Sequence, residues 1–172
     1  MFEHGRSCFI GLGTNKGDKK QNIINAITVL GQQDGIDVIR HSSIYLTEPI
    51  GVTYQPEFYN CVVEIKTTHD PHSLLRIIKE IETSLGREPG THLLPRPIDI
   101  DILLYGGLEL DSLDLRIPHS RLTVRAFVLV PLLELDSGLV HPVSRKKLGE
   151  YLAEIKPPQK VQKVIDAAEL FG

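Results

Sequence analysis

Short apolar runs and stretches that alternate apolar with polar residues are separated, along this chain, by segments whose apolar residues recur every three or four positions. Residues 8–12 are short and apolar and predict a strand. Gly11, Gly13 and Gly17 surround the turn that follows. Asp18 predicts an N-cap, with Gln21 three residues on as its capping-box partner. Ile23, Ile27 and Leu30 then share a helical face that ends at Gly31. Residues 38–47 and 58–67 predict two long strands joined by a loop over 48–57. Asp70-Pro71 opens a second helix with proline in its first turn. Its stripe is Leu74, Ile78, Ile81 and Leu85, and Gly86 closes it. A loop over 88–94 leads into a strand in which Ile98, Ile100, Ile102 and Leu104 share one face and Asp99 and Asp101 the other. Residues 125–135 and 146–155 predict two extra helices. The tail from Pro157 predicts one more, with Val161, Val164, Ile165 and Ala168 on one face. The order β-α-β-β-α-β predicts an α+β, ferredoxin-like antiparallel sheet with helices on one face and additional C-terminal helices. Residues 1–172 are expected to form a single domain.

Composition narrows the function classes without choosing one. The 172 residues are enough for one domain with a real core. Apolar content of 41% and charged content of 24% are ordinary for a globular protein. A formal net charge of −3 supplies no global basic field for nucleic acid or an anionic membrane. No apolar stretch is long enough to span a bilayer, and residues 1–7 lack the apolar region of a signal peptide. Cys8 and Cys61 lie in strand-like runs without metal-type spacing, so they are expected to be reduced core thiols of a cytoplasmic protein.

The carboxylate pair carries the most chemistry. Asp99 and Asp101 are held side by side on a stiff element, and like charges that close need something positive between them. Mg²⁺ suits them, because it takes one or two carboxylates together with substrate phosphates. Arg87, Arg96, His119, Arg121 and Arg125 all lie between the second helix and the fourth helical segment, and guanidinium forks suit phosphate oxygens. The glycine-rich turn 11–17 is neither G-x-G-x-x-G nor a P-loop, so its glycines are expected to let backbones pass closely at a strand end. His69 and His72 have metal-like spacing but no third ligand nearby, and are expected at the surface. On the strand 58–67, Phe58 and Asn60 share a face while Tyr59, Cys61, Val63 and Ile65 point to the core. A ring for stacking and an amide for hydrogen bonding suit a flat heterocycle, with Phe127 as an opposing ring.

These stretches resemble the 6-hydroxymethyl-7,8-dihydropterin pyrophosphokinase family of folate biosynthesis. The resemblance is carried by Gly11-Leu-Gly-Thr-Asn-Lys-Gly-Asp18, Ser43-Ile-Tyr-Leu-Thr-Glu-Pro-Ile-Gly51 and Gln55-Pro-Glu-Phe-Tyr-Asn60. It continues in Ile81-Glu82 with Leu85-Gly-Arg87, Pro95-Arg96 through Asp99-Ile-Asp101, Ile117-Pro-His119, and Arg125-Ala-Phe127 with Pro131-Leu. The motifs follow the family's order from residue 8 to about 142. The resemblance implies a ferredoxin-like fold and transfer of the pyrophosphoryl group of ATP to the hydroxymethyl group of the reduced pterin, with AMP leaving. It implies that Asp99 and Asp101 hold two Mg²⁺ ions and, with Arg87 and Arg96, carry the catalysis. Phe58 and Phe127 match the rings around the pterin, Asn60 a residue that reads its polar edge, and Thr47, Ile50 and Gly51 the adjoining wall. Arg87, Arg96, His119 and Arg125 match positions near the phosphates, and Lys79, Glu82 and Ile102 the nucleotide side. The implied partners are ATP and the reduced pterin, with no nucleic acid and no membrane, and a monomer is expected.

Two departures stand out. The loop 88–94 lacks the extra basic residues and the tryptophan that many relatives carry, with Leu93 or Leu94 in the ring's place. Lys79 stands where some relatives have an amide. The rival reading is a non-catalytic ferredoxin-like domain that binds a small regulatory molecule, since fold alone does not choose. RNA binding on an open sheet would want exposed aromatics beside a basic groove, and the acidic pair argues against it.

Overall fold

In a computed structural model of the chain, which describes residues 5–51, 54–91 and 93–172, the first strand β1 (Arg6–Thr14) lies in the middle of the sheet. It is followed by α1 (Lys19–Gly31), whose N-cap is Asp18, accepting from the Gln21 amide at 3.0 Å. Then come β2 (Ile36–His41), β3 (Ile44–Thr47) and β4 (Phe58–Thr67). α2 (Pro71–Ser84) starts from the Asp70 cap, and β5 (Asp99–Tyr105) completes the β-α-β-β-α-β order. A two-stranded ribbon of β6 (Leu110–Asp111) and β7 (Arg116–Ile117), α3 (Ala126–Leu135), α4 (Leu148–Glu154) and β8 (Val161–Ile165) follow. The sheet order is β5-β1-β4-β3-β8, with β2 also paired to β4, and every pairing is antiparallel. This is the expected α+β ferredoxin-like sheet. Val52, Thr53 and His92, which fall in the two expected loops, lie outside the described residues.

Two layers of core result. α1 and α2 bury Ile23, Ile27, Leu30, Leu74, Ile78 and Ile81 against Cys8, Ile10, Cys61, Val63, Ile65, Ile98, Ile100 and Ile102. α3 and α4 cover the opposite face, where Val128, Leu129, Leu132 and Leu148 meet Phe9, Val62, Leu103 and Leu104. Helices on one face therefore describes only α1 and α2. The C-terminal helices need an apolar surface of their own, and β1, β4 and β5 provide it on the other side.

Three expectations are corrected. The strand over 38–47 is two strands, broken at Ser42 and Ser43. Ser42 trades backbone and hydroxyl bonds with Val62, while Ser43 donates its amide and hydroxyl to the Glu134 carboxylate on α3. These side-chain bonds compete with the ladder and turn the chain. The tail helix is instead β8, because the free edge of β3 offers backbone partners that outweigh a weak amphipathic pattern. Leu104 leaves the face of Ile98, Ile100 and Ile102. The register between β1 and β5 shifts after Phe9, so that Leu103 and Leu104 both join the α3 side.

Candidate active site

The face of the sheet next to α3 opens into a cavity of about 490 Å³, within the range of small-molecule sites. Its floor is set by three neighbouring strands. Gly11 pairs with Asp101 and Gly13 with Asp99 across β1 and β5, and the same glycines pair with Val62 and Asn60 across β1 and β4. Side chains at paired positions share a face, so the carboxylate pair lies on one side of the glycines and Phe58 and Asn60 on the other. A Cβ on Gly13 would stand 3.1 Å from Asn60 Oδ1, and one on Gly11 3.3 Å from Leu103. The missing side chains leave the depression towards the end of the strand. Gly13, next to last in β1, has the strand-end place expected of it, and Gly11 lies two residues further in.

Asp99 is held between two arginines. Arg87 Nη1 donates to its Oδ1, and Arg96 Nε donates to its Oδ2 at 2.5 Å. Asp101 acts through its charge on His119 and Arg125. Burial pushes the His119 imidazole below its ordinary range, and Asp101 pulls it only partly back. The Arg121 amide donates to His119 Nδ1 at 3.1 Å, so the proton of the neutral ring sits on Nε2. Burial likewise lowers Arg125, with Asp101 opposing; an arginine remains charged regardless. The guanidinium of Arg96 lies 5.0 Å from the Phe58 ring centre and that of Arg125 lies 5.4 Å from Phe127.

At the other end Asn60 Nδ2 donates to Thr47 Oγ1 at 2.5 Å. That bond joins β4 to the wall made by Thr47 and Ile50. Glu82 is 6% exposed. It accepts from the Ile100 amide at 2.7 Å and from Lys79 at 2.9 Å, which anchors the start of β5 to α2.

Of the residues singled out in the sequence, Thr47, Ile50, Phe58, Asn60, Lys79, Glu82, Arg87, Arg96, Asp99, Asp101, His119, Arg125 and Phe127 line this one cavity. Ile102 lines a second cavity of about 370 Å³ beside the ribbon, which shares Lys79, Asp101 and His119 with the first. Gly51 is not in the lining; it is an exposed turn residue with φ +80°. His69 and His72 lie away from the site, bonded to the Asp34 carbonyl and facing Asp114.

Asn15 was not legible as a site residue. It is 2% exposed. Its amide nitrogen Nδ2 donates to Gln55 Oε1 and the Pro56 carbonyl, and its Oδ1 accepts from the Arg96 amide. Gln55 in turn donates to the Leu93 carbonyl. One asparagine thus ties the end of β1 to both loops that border the cavity. The sequence signals were its place in a turn rich in glycine and in the motif Gly11 to Asp18.

Fold and site together define a ferredoxin-like α+β domain with a polar, arginine-rich cleft cut into one face of its sheet. The chain belongs to the 7,8-dihydro-6-hydroxymethylpterin-pyrophosphokinase family, whose model matches residues 9–137. It is 40% identical over 149 residues to a 2-amino-4-hydroxy-6-hydroxymethyldihydropteridine pyrophosphokinase of Methylorubrum extorquens, covering 87% of this chain and 93% of that protein. It is 45% identical over 131 residues to a mitochondrial folate synthesis bifunctional protein of Arabidopsis thaliana, covering 76% of this chain and 24% of the relative. The chain thus spans about a quarter of the length of such bifunctional relatives. A crystal structure of Plasmodium falciparum HPPK-DHPS with pteroate matches the fold with a TM-score of 0.70 at 17% identity, over 92% of this chain and 48% of that one.

Proposed function

We propose that this chain transfers the pyrophosphoryl group of ATP to the hydroxymethyl group of 6-hydroxymethyl-7,8-dihydropterin, releasing AMP, in folate biosynthesis. The observation that carries the reading is that a carboxylate pair with its arginines and a ring-and-amide subsite face one cavity, across a floor of two glycines. A phosphate chain and a flat heterocycle can meet there. Residues 1–172 act as one such domain in this reading. All the groups come from one chain, so a monomer suffices. Among the described residues no helix is long and apolar enough to cross a membrane. A cytoplasmic setting fits the two free, buried cysteines.

The donor set fits a hard cation that arrives with phosphates. Among the described residues no third acidic, histidine or cysteine ligand completes a protein cage, and Mg²⁺ characteristically takes only one or two carboxylates when phosphates supply the rest. Asp99 and Asp101 would hold the metal, and two such ions would neutralise charge on the attacking and leaving oxygens.

The remaining steps belong to the chain's own side chains. Arg87 and Arg96, which neutralise Asp99 in the free protein, pass to phosphate oxygens when the nucleotide enters. Arg125 and the neutral His119, donating through Nε2, complete the grip. Phe58 and Phe127 stack on the pterin, and Asn60 reads its polar edge beside Thr47 and Ile50. Lys79, Glu82 and Ile102 border the nucleotide, where the second cavity extends the first. The hydroxymethyl oxygen forms a bond to the β-phosphorus as the bond to the α-phosphate oxygen breaks, AMP leaves, and the hydroxyl proton passes to solvent. Phosphoryl transfer depends mainly on positioning and charge stabilisation, so no side chain is assigned as a strong base.

The test is AMP formation from ATP. AMP should accumulate only when Mg²⁺ and the reduced pterin are both present, in equal amount with the diphosphorylated pterin. Binding of either substrate without AMP formation would instead favour the regulatory domain.

A further inference from the structure

The end of the chain lies beyond the residues matched by the family, 9–137, yet it holds both walls of the cavity. β8 runs antiparallel to β3 and places Val161 opposite Thr47. Just before β8, Gln159 reaches the first turn of α3. Its Oε1 accepts from the Ala126 amide at 2.8 Å, and its Nε2 donates to the Val124 carbonyl at 3.0 Å.

The first amides of a helix have no partner within it. The N-cap side chain ordinarily supplies one. In α3 the N-cap residue is Arg125, which makes no capping bond; its guanidinium lies instead over the Phe127 ring. The missing cap oxygen comes from a residue 33 positions downstream. The same carboxamide holds the last residue of the short turn Leu122–Val124, so it grips the chain on both sides of Arg125. Its partners flank Arg125, and one of them, Ala126, directly precedes Phe127.

We propose that Gln159 is a positioning residue, which clamps the start of α3 and so sets Arg125 against the phosphates and Phe127 against the pterin. The inference rests on the functional reading above. Release of the clamp frees the first turn of α3 to shift, and small displacements of groups around a reacting centre are costly in rate.

Three full-length variants test it. Gln159→Met keeps the bulk and loses both bonds. Gln159→Glu keeps an oxygen for the Ala126 amide, with a charge favourable at a helix N-terminus, but cannot donate to the Val124 carbonyl, so it separates the two bonds. Gln159→Asn is one methylene short of spanning both partners, and is read in the same way as Gln159→Met if that variant does not fold. Kinetics and residue-resolved amide hydrogen exchange are measured well below each melting midpoint. Gln159→Met should lower kcat/KM for the pterin about tenfold and speed exchange at residues 126–128 about tenfold, with α2 unchanged. Gln159→Glu keeps only the bond to the Ala126 amide and should fall between Gln159→Met and the unsubstituted chain in both readouts. Unchanged kinetics in Gln159→Met, even with a lower melting temperature, would overturn the proposal by leaving the clamp a purely structural one. Unaltered exchange at 126–128 would overturn it as well. An unsubstituted chain that forms no AMP would instead sink the pterin reading, and the exchange measurement would still decide whether the clamp exists.

Discussion

Asp99 and Asp101 look equivalent along β5 but do not have equivalent surroundings. Asp99 is closed in by Arg87 and Arg96, and Asp101 acts on His119 and Arg125. Substituting either by asparagine removes one charged donor from a site that must neutralise phosphate oxygens. Turnover should fall at least about a hundredfold, or about 2.7 kcal/mol, in each variant. The two should differ in stability. Asp99→Asn removes the carboxylate that two arginines share and should lower the unfolding midpoint, whereas Asp101→Asn should leave it close to that of the unsubstituted chain. Steady-state kinetics and denaturant titration of both variants check this. Near-normal turnover in either would remove the pair from the reaction. Loss of fold in both would make it structural.

Polar side chains also join the elements, and Asn15 is one such junction. The end of β1, the loop before β4 and the loop before β5 all converge on its side chain. Leaving buried donors or acceptors without partners costs about 1–3 kcal/mol. Asn15→Ala should therefore destabilise the fold by about that amount. It should also speed amide exchange in both bordering loops together, because one side chain restrains them jointly. Denaturant unfolding and hydrogen exchange decide it. Loosening of one loop without the other would show that they are not coupled through this residue. Leu93, exposed at the mouth of the cavity, has its carbonyl held by Gln55. That link gives the loop an anchor.

Cys8 and Cys61 report on the fold as a unit. Both are buried, and burial pushes both thiols up to about 12. Since the thiolate is the reactive form, neither should react with a thiol reagent at mildly alkaline pH while the chain is folded, and both should react once denaturant unfolds it. Rapid labelling of the native protein would place them outside the core. Much of this architecture was legible beforehand because it depends on local periodicity. The faces of β4, the stripe of α2 and the Asp99–Asp101 alternation follow from which residues point the same way on a regular element. The motifs carried the family, and most of the expected site residues converge on one cavity because strand pairing places them side by side. What escaped depends on partners far away in the chain. The break at Ser42 and Ser43 needs Glu134, the phase change at Leu103 and Leu104 needs the shifted register with β1, and β8 exists because β3 has a free edge. The hub at Asn15 and the cap from Gln159 are of the same kind. A residue's hydrogen-bonding capacity is written in its type, but which distant group it meets is settled by how the elements pack, where an unpaired buried polar group is too costly to keep.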